Sequence, residues 1–214
     1  MKKDIRIVCI SDTHGRHKKL KIPEGDILIH AGDITNMGAL DEVIKFNKFL
    51  GTLPHPHKII IAGNHDFAFE YSPEETQAVI TNAIYLQDQE VTIEGVRIYG
   101  SPWQPRFHDW AFNLDRGAAI REKWDLIPEG LDILVTHGPA FGQGDIVNDG
   151  GHAGCEDLFL AIKRTQPKFH VFGHIHGGYG IFESEKTTFI NASSCDEDYR
   201  PINKPILFDI SIED

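Results

Sequence analysis

Eight polar side chains in this chain share one kind of position: each closely follows a short apolar run. Asp12 and His14 follow residues 5–10, and Asp33 follows residues 27–31. Asn64 and His65 follow residues 59–62, His137 follows residues 133–135, and His174 and His176 follow residues 169–172. Neutral imidazoles, carboxylates and an amide oxygen make a ligand set for manganese, iron, zinc or similar ions, and not a soft thiolate set. Eight such groups are too many for one ion and suit two. Asp33 is the natural bridge, because a carboxylate has two oxygens and can face two metals. Two divalent ions about 3.5–4 Å apart can hold a bridging hydroxide and clamp a phosphoryl group for in-line attack.

The charge balance points to the same substrate class. Two divalent ions outweigh Asp12, Asp33 and a hydroxide together, so the site stays positive inside a chain of net charge −11. An anionic phosphate gains more from that field than a carbonyl does. A departing ester oxygen needs a proton. His65 is adjacent to Asn64 and points differently along the chain, which makes it a better general acid than ligand. Asp66 is placed to orient and charge it.

The elements that must position these groups read as strands ending at turns. A run of β-branched residues stopped by Gly, as in residues 59–63, is the pattern of a buried strand. Ligands in open α/β sheets gather beyond the carboxyl ends of strands. Residues 40–50 carry apolar positions mostly at helical spacing, with Gly51 after them. Ser72-Pro73-Glu74-Glu75 reads as a helix start, Ser at the N-cap and Pro at N1, with the helix running to about Asn82. Residues 91–99 alternate about Gly95 and predict a hairpin, hence a second sheet. Further helices are expected over 116–124 and 155–165. Further strands are expected over 131–136 and 169–172, and near 180–183, 188–191 and 205–212.

Residues 101–113 crowd two Trp, two Phe and two Pro into an irregular loop. It reads either as a loop packed by its own aromatics or as one wall of a substrate pocket. Gly15, Gly138 and Gly173 are expected to serve backbone geometry near the metals. His17, His30, His55, His57, His108, His152 and His170 are read as structural. Of these, His30 and His170 are expected as hydrogen-bonded interior residues. His152, in the Gly-rich segment 138–154, is the one that could touch substrate.

The bulk properties are those of a globular domain. The 214 residues are 41% hydrophobic and 25% charged, which fits one domain over 1–214. The acidic balance disfavours a nucleic-acid polymer or an anionic membrane as partner. No apolar run approaches the ~20 residues of a spanning helix. Three sparse cysteines without C-x-x-C spacing favour a reducing, cytoplasmic compartment over a disulfide framework.

Asp12-x-His14, Gly32-Asp33, Gly63-Asn64-His65-Asp66, His137 and Gly173-His174-x-His176, in this order, resemble the calcineurin-like metallophosphoesterase superfamily. Ser101-Pro102-Trp103-Gln104-Pro105, Trp110-Ala111-Phe112-Asn113, Arg116-Gly117, Thr136-His137-Gly138-Pro139, Gly154-Cys155-Glu156-Asp157-Leu158 and Asn191-Ala192-Ser193 are similar to one branch of it. That branch is the metallophosphoesterase-domain-containing proteins related to class III cyclic nucleotide phosphodiesterases. The resemblance implies an α/β fold, a four-layer αββα sandwich with two mixed β-sheets. It implies one metal on Asp12, His14, Asp33 and His176, a second on Asp33, Asn64, His137 and His174, and His65 as the acid. The protein phosphatases of the superfamily carry Gly-Asp-x-Val-Asp-Arg-Gly where this chain has Gly32-Asp33-Ile34-Thr35-Asn36. Their phosphate-gripping Arg is absent, so a phosphoprotein substrate is not expected.

The expected function is that of a dinuclear-metal phosphodiesterase on small phosphodiesters, cyclic nucleotides among them. The expected ions are two divalent metals, Mn²⁺ first, with Fe, Zn, Co or Mg as alternatives. The runner-up is a phosphomonoesterase or nucleotidase on the same site. A non-catalytic scaffold on this fold is the third reading.

Overall fold

The computed structural model describes residues 2–213. In chain order the elements are β1 (Lys2–Ile10), β2 (Ile27–Ala31), α1 (Leu40–Leu50), β3 (His57–Ile61), α2 (Phe67–Tyr71), α3 (Pro73–Val79) and β4 (Ile84–Tyr85). There follow β5 (Gln89–Ile93), β6 (Val96–Ser101), β7 (Gln104–Pro105), β8 (Asn113–Leu114), α4 (Ala118–Trp124) and β9 (Ile133–Thr136). The last are α5 (Glu156–Thr165), β10 (Phe169–Phe172), β11 (Gly180–Glu183), β12 (Thr188–Asn191) and β13 (Ile206–Glu213).

Two mixed sheets result. One has the order β13-β1-β2-β3-β4, and the other β11-β12-β10-β9-β6-β5. In the first, β1 through β4 are parallel and β13 is antiparallel to β1. In the second, β12, β10, β9 and β6 are parallel, flanked by antiparallel β11 and β5. Alternate residues of each strand serve different layers, as the two-residue period requires. Ile5, Ile7, Cys9, Ile27, Ile29, Ile59 and Ile61 meet Val96, Ile98, Ile133, Val135 and Val171 between the sheets. Val8, Ile10, Leu28 and Ile60 turn outward onto Val43, Phe46 and Leu50 of α1. Tyr99, Leu134 and Phe172 turn outward onto Ile120 and Trp124 of α4 and Leu158 and Ile162 of α5. This is the four-layer αββα arrangement. Strands buried on both faces read as continuous apolar runs, which is why they were legible.

Local departures from expectation have visible causes. The helix expected to reach Asn82 stops at Val79, because Asn47 Oδ1 on α1 accepts from the backbone N–H groups of Thr81 (3.1 Å) and Asn82 (3.0 Å). Ser72 makes no side-chain cap to α3. Gly51 follows α1 in right-handed conformation (φ −64°), so the helix end does not use glycine's left-handed freedom. The hairpin does: its tip residues Glu94 and Gly95 have φ of 52° and 84°, as a tight two-residue turn demands. Among the described residues no helix is long and apolar enough to cross a membrane.

Candidate metal centre

The carboxyl ends of β1, β2, β3, β9 and β10 open on one edge of the sandwich, and their loops are laced to one another. Asp12 N–H donates to Gly32 O (2.9 Å), His14 N–H to Asp33 O (3.0 Å), and Gly173 N–H to His137 O (2.9 Å). A β-carbon on Gly173 would collide with Asp12 Oδ2 and Ser11 Oγ, and one on Gly63 with the Asp33 amide and carboxylate. Both glycines are there for close approach. Gly138 is not: a β-carbon there meets only ordinary contacts, which corrects the expectation for it.

Asp33 lies at the middle of the cluster. Its Oδ2 is 3.4 Å from His137 Nε2, 3.8 Å from His14 Nε2 and 3.9 Å from His65 Nε2. Its Oδ1 accepts from His65 N–H at 2.8 Å. On one side, His176 Nε2 is 3.4 Å from Asp12 Oδ1 and 3.2 Å from His14 Nε2. On the other, His137 Nε2 is 2.9 Å from Asn64 Oδ1. Donor atoms of Asp12, His14 and His176, of His14, Asp33 and His65, and of Asp12, Asp33 and His137 each fall within 4.8 Å of one another. His174 is in none of these sets; its ring meets that of His137 edge-on at 5.1 Å between centroids.

The surroundings aim these donors inward. His137 Nδ1–H donates to Ala31 O (2.9 Å) and His176 Nδ1–H to Asp196 O (2.8 Å), so both Nε2 atoms are turned to the cluster. Ser193 Oγ–H donates to Asp12 Oδ2 at 2.7 Å, and His174 N–H donates to both Asp12 oxygens. His14 Nδ1 is buried without a partner, while its Nε2 faces another imidazole nitrogen. Convergent imidazole nitrogens and carboxylate oxygens at these separations fit divalent cations.

Four residues of the cluster, Asp12, His14, Asp33 and His174, have left-handed backbones, with φ of 51°, 43°, 55° and 68°. Each such residue costs roughly 1–3 kcal/mol. The cross-loop hydrogen bonds hold them there.

Burial would push Asp33 and Asp12 upward, but the facing imidazoles hold both carboxyls well below the usual range. Burial pulls His14 down to about 4 and His174 down to about 3. For His137 and His176 burial is overcome, by the Asp33 charge and by the Asp12 hydrogen bond, and both are raised to about 9. At neutral pH these two therefore hold protons that an incoming cation must displace. Calorimetry of metal binding at pH 7, in buffers of differing ionisation enthalpy, is expected to read release of about two protons per chain. The release should shrink as pH climbs past about 9. No proton release would contradict this assignment. The same pairs stabilise the metal-free fold fully below the ordinary histidine pKa, and that contribution is lost as pH rises through about 9.

Asp66 does not orient the His65 ring. Its carboxylate accepts from Gly63 N–H (2.8 Å), Ile34 N–H (3.1 Å), Thr35 N–H (2.9 Å) and Thr35 Oγ–H (2.7 Å). It staples the β2 and β3 loops together instead. Successive side chains in a turn diverge, so adjacency in sequence misled. The His65 ring is fixed by Nδ1–H donating to Asn36 O at 2.9 Å and by edge contacts with Trp110 (4.2 Å) and His14 (4.5 Å).

A cavity of about 320 Å³ adjoins the cluster. Phe107, His108 and Trp110 line it, whereas Phe112 is buried and Trp103 donates its indole N–H to Asp88. Part of the loop is therefore packed by its own aromatics and part walls the cavity. His152 is not among the lining residues; Asp145 holds its Nδ1 at 2.8 Å. His30 and His170 are interior, bonded to Thr13 and Thr136 at 2.9 and 2.7 Å. Sequence reasoning gave no role to Ser193, Asp196 or Tyr199. The polar Ser193 just beyond the apolar strand β12 was a signal of the same kind as the others. For the Asp196 carbonyl and for Tyr199, whose ring lies 4.7 Å from that of His14, there was none.

Residues 5–178 match the sequence profile of the family described as calcineurin-like phosphoesterase. The chain belongs to the calcineurin-like phosphoesterase family. It is 50% identical to human metallophosphoesterase domain-containing protein 1, across 96% of this chain and 71% of that protein. Among solved structures, a Thermus thermophilus protein is similar with a TM-score of 0.59 at 14% identity, covering 88% of this chain and 89% of that one. A structure described as a novel archaeal phosphodiesterase is similar with a TM-score of 0.50 at 17% identity, covering 97% of this chain and 100% of that one. At such identities the likeness speaks for the fold alone. A calcineurin-like phosphoesterase with clustered candidate ligands for divalent metal is what geometry and family together describe.

Proposed function

We propose that this calcineurin-like phosphoesterase is a metal-dependent phosphodiesterase acting on small phosphodiesters, cyclic nucleotides among them. The convergence of histidines and carboxylates around Asp33 carries the reading. In it, Asp12, His14, Asp33 and His176 hold one divalent ion, and Asp33, Asn64, His137 and His174 hold the other. Bound there, such ions supply Lewis acidity, making water a better nucleophile and neutralising charge on the phosphoryl group. Mn²⁺ is the proposed working ion, and the same donors accept Fe, Zn, Co or Mg.

His65 donates the proton to the departing ester oxygen. Asn36 already takes its Nδ1–H, so the transferred proton is the one on Nε2, the nitrogen facing Asp33. The adjoining cavity receives the second ester arm, and its aromatic walls suit a flat group such as a nucleobase. No Lys or Arg lines the cavity among the described residues. A monoester dianion would find no Lys or Arg for its extra charge there, which favours diesters. The proposed partners are therefore small phosphate esters or nucleotides, with no nucleic-acid polymer and no membrane. Three buried free cysteines suit a reducing compartment such as the cytoplasm.

The test is a rate comparison with Mn²⁺ over bis(4-nitrophenyl) phosphate, 2′,3′- and 3′,5′-cyclic nucleotides and matched monoesters. Faster diester hydrolysis is the expected result. Faster monoester hydrolysis would move the reading to a nucleotidase. No hydrolysis with any divalent ion would leave a binding protein.

A further inference from the structure

The cavity beside the ligand cluster has an uneven chemistry. Phe107 and Trp110 stand 5.6 Å apart at 78°, with Trp110 edge-on to His65. The Tyr199 ring lies 6.1 Å from His65 and lines the same space. The rim carries Glu197, within the run Asp196-Glu197-Asp198. Arg200 pairs with Asp196 at 2.6 Å and Asp198 at 3.0 Å. Glu197 has no ion pair among the described residues, and it lines the cavity where no Lys or Arg does.

Aromatic faces attract a cation through the ring quadrupole, and an unpaired carboxylate nearby adds a full counter-charge. A neutral base would use the same aromatic walls but would gain little from Glu197. A second anionic group would be repelled by it.

We infer that this cavity is a subsite for a cationic ester arm, an alkylammonium group packed against the aromatic lining of Phe107, Trp110 and Tyr199 and balanced by Glu197. The inference rests on the phosphodiesterase reading and adds a substrate class to it: diesters with one choline-like arm. In the reaction, the oxygen of water bonds to phosphorus as the bond to the other ester oxygen breaks. One proton goes to that departing oxygen, or to solvent when it leaves as nitrophenolate. The other stays on or ionises from the new phosphoryl oxygen, and the ammonium arm stays on the phosphoryl product.

The test uses two diesters that differ in one atom. The 4-nitrophenyl ester of phosphorylcholine has a quaternary nitrogen where 4-nitrophenyl 3,3-dimethylbutyl phosphate has carbon. Nitrophenolate departs from both, so leaving-group chemistry cancels in the ratio of kcat/KM. The Mn²⁺-loaded protein is expected to favour the choline ester roughly tenfold. Glu197→Gln should bring the ratio toward one, and Glu197→Lys should invert it, which a purely structural role for Glu197 would not do. A wild-type ratio of one or less, or a ratio indifferent to both substitutions, overturns the inference. If neither diester is hydrolysed, the phosphodiesterase reading fails by itself. Calorimetric binding of phosphorylcholine against 3,3-dimethylbutyl phosphate then reads the subsite: tighter phosphorylcholine supports it, equal affinity refutes it.

Discussion

Asp33→Asn is expected to give a folded protein that keeps almost no metal and no measurable hydrolysis. The carboxylate is buried, with one oxygen accepting from the His65 amide and the other facing His137, His14 and His65. An amide of the same shape retains the first contact, so the backbone around residue 65 should survive. The charge is lost, and with it the carboxylate that the proposed reading places between the two ions. An Asn nitrogen turned toward His137 would also present a donor where a cation needs an electron pair. Elemental analysis of the dialysed variant, with circular dichroism to confirm folding, decides the matter. Full metal content together with wild-type turnover would remove Asp33 from the centre of the site.

His65→Ala is expected to slow hydrolysis of alkyl diesters by roughly 10²–10⁴. Metal content should stay near that of wild type, because the proposed ligands remain. The loss should be much smaller for nitrophenyl esters, whose leaving group departs without a proton. That contrast separates an acid from a residue that merely packs. Trp110 and His14 both press on this ring, so a general collapse would slow both substrate types alike. Equal losses on good and poor leaving groups would exclude His65 as the proton donor.

Much of the molecule was readable because burial on both faces leaves a plain imprint. Val8 and Ile10 face α1 while Ile7 and Cys9 face the other sheet, so the whole segment had to be apolar. α1 matched its expected span because its stripe packs on one sheet face only. The five-residue helix α2 left no trace, being too short for a period to register. Polar groups at strand ends marked the cluster itself. The parts that aim them were hidden: Ala31, Asn36 and Asp196 act through backbone carbonyls, whatever their side chains. Asp66 shows the opposite error, a suggestive side chain whose bonds all go to loop architecture.

The left-handed backbone at Asp12, His14, Asp33 and His174 carries a consequence for how such proteins age. Selection for thermal robustness alone would favour glycine or asparagine at these four places, where an ordinary residue is held uphill. A lineage freed from the need to turn over substrate should therefore lose these residues early, growing sturdier as its chemistry decays.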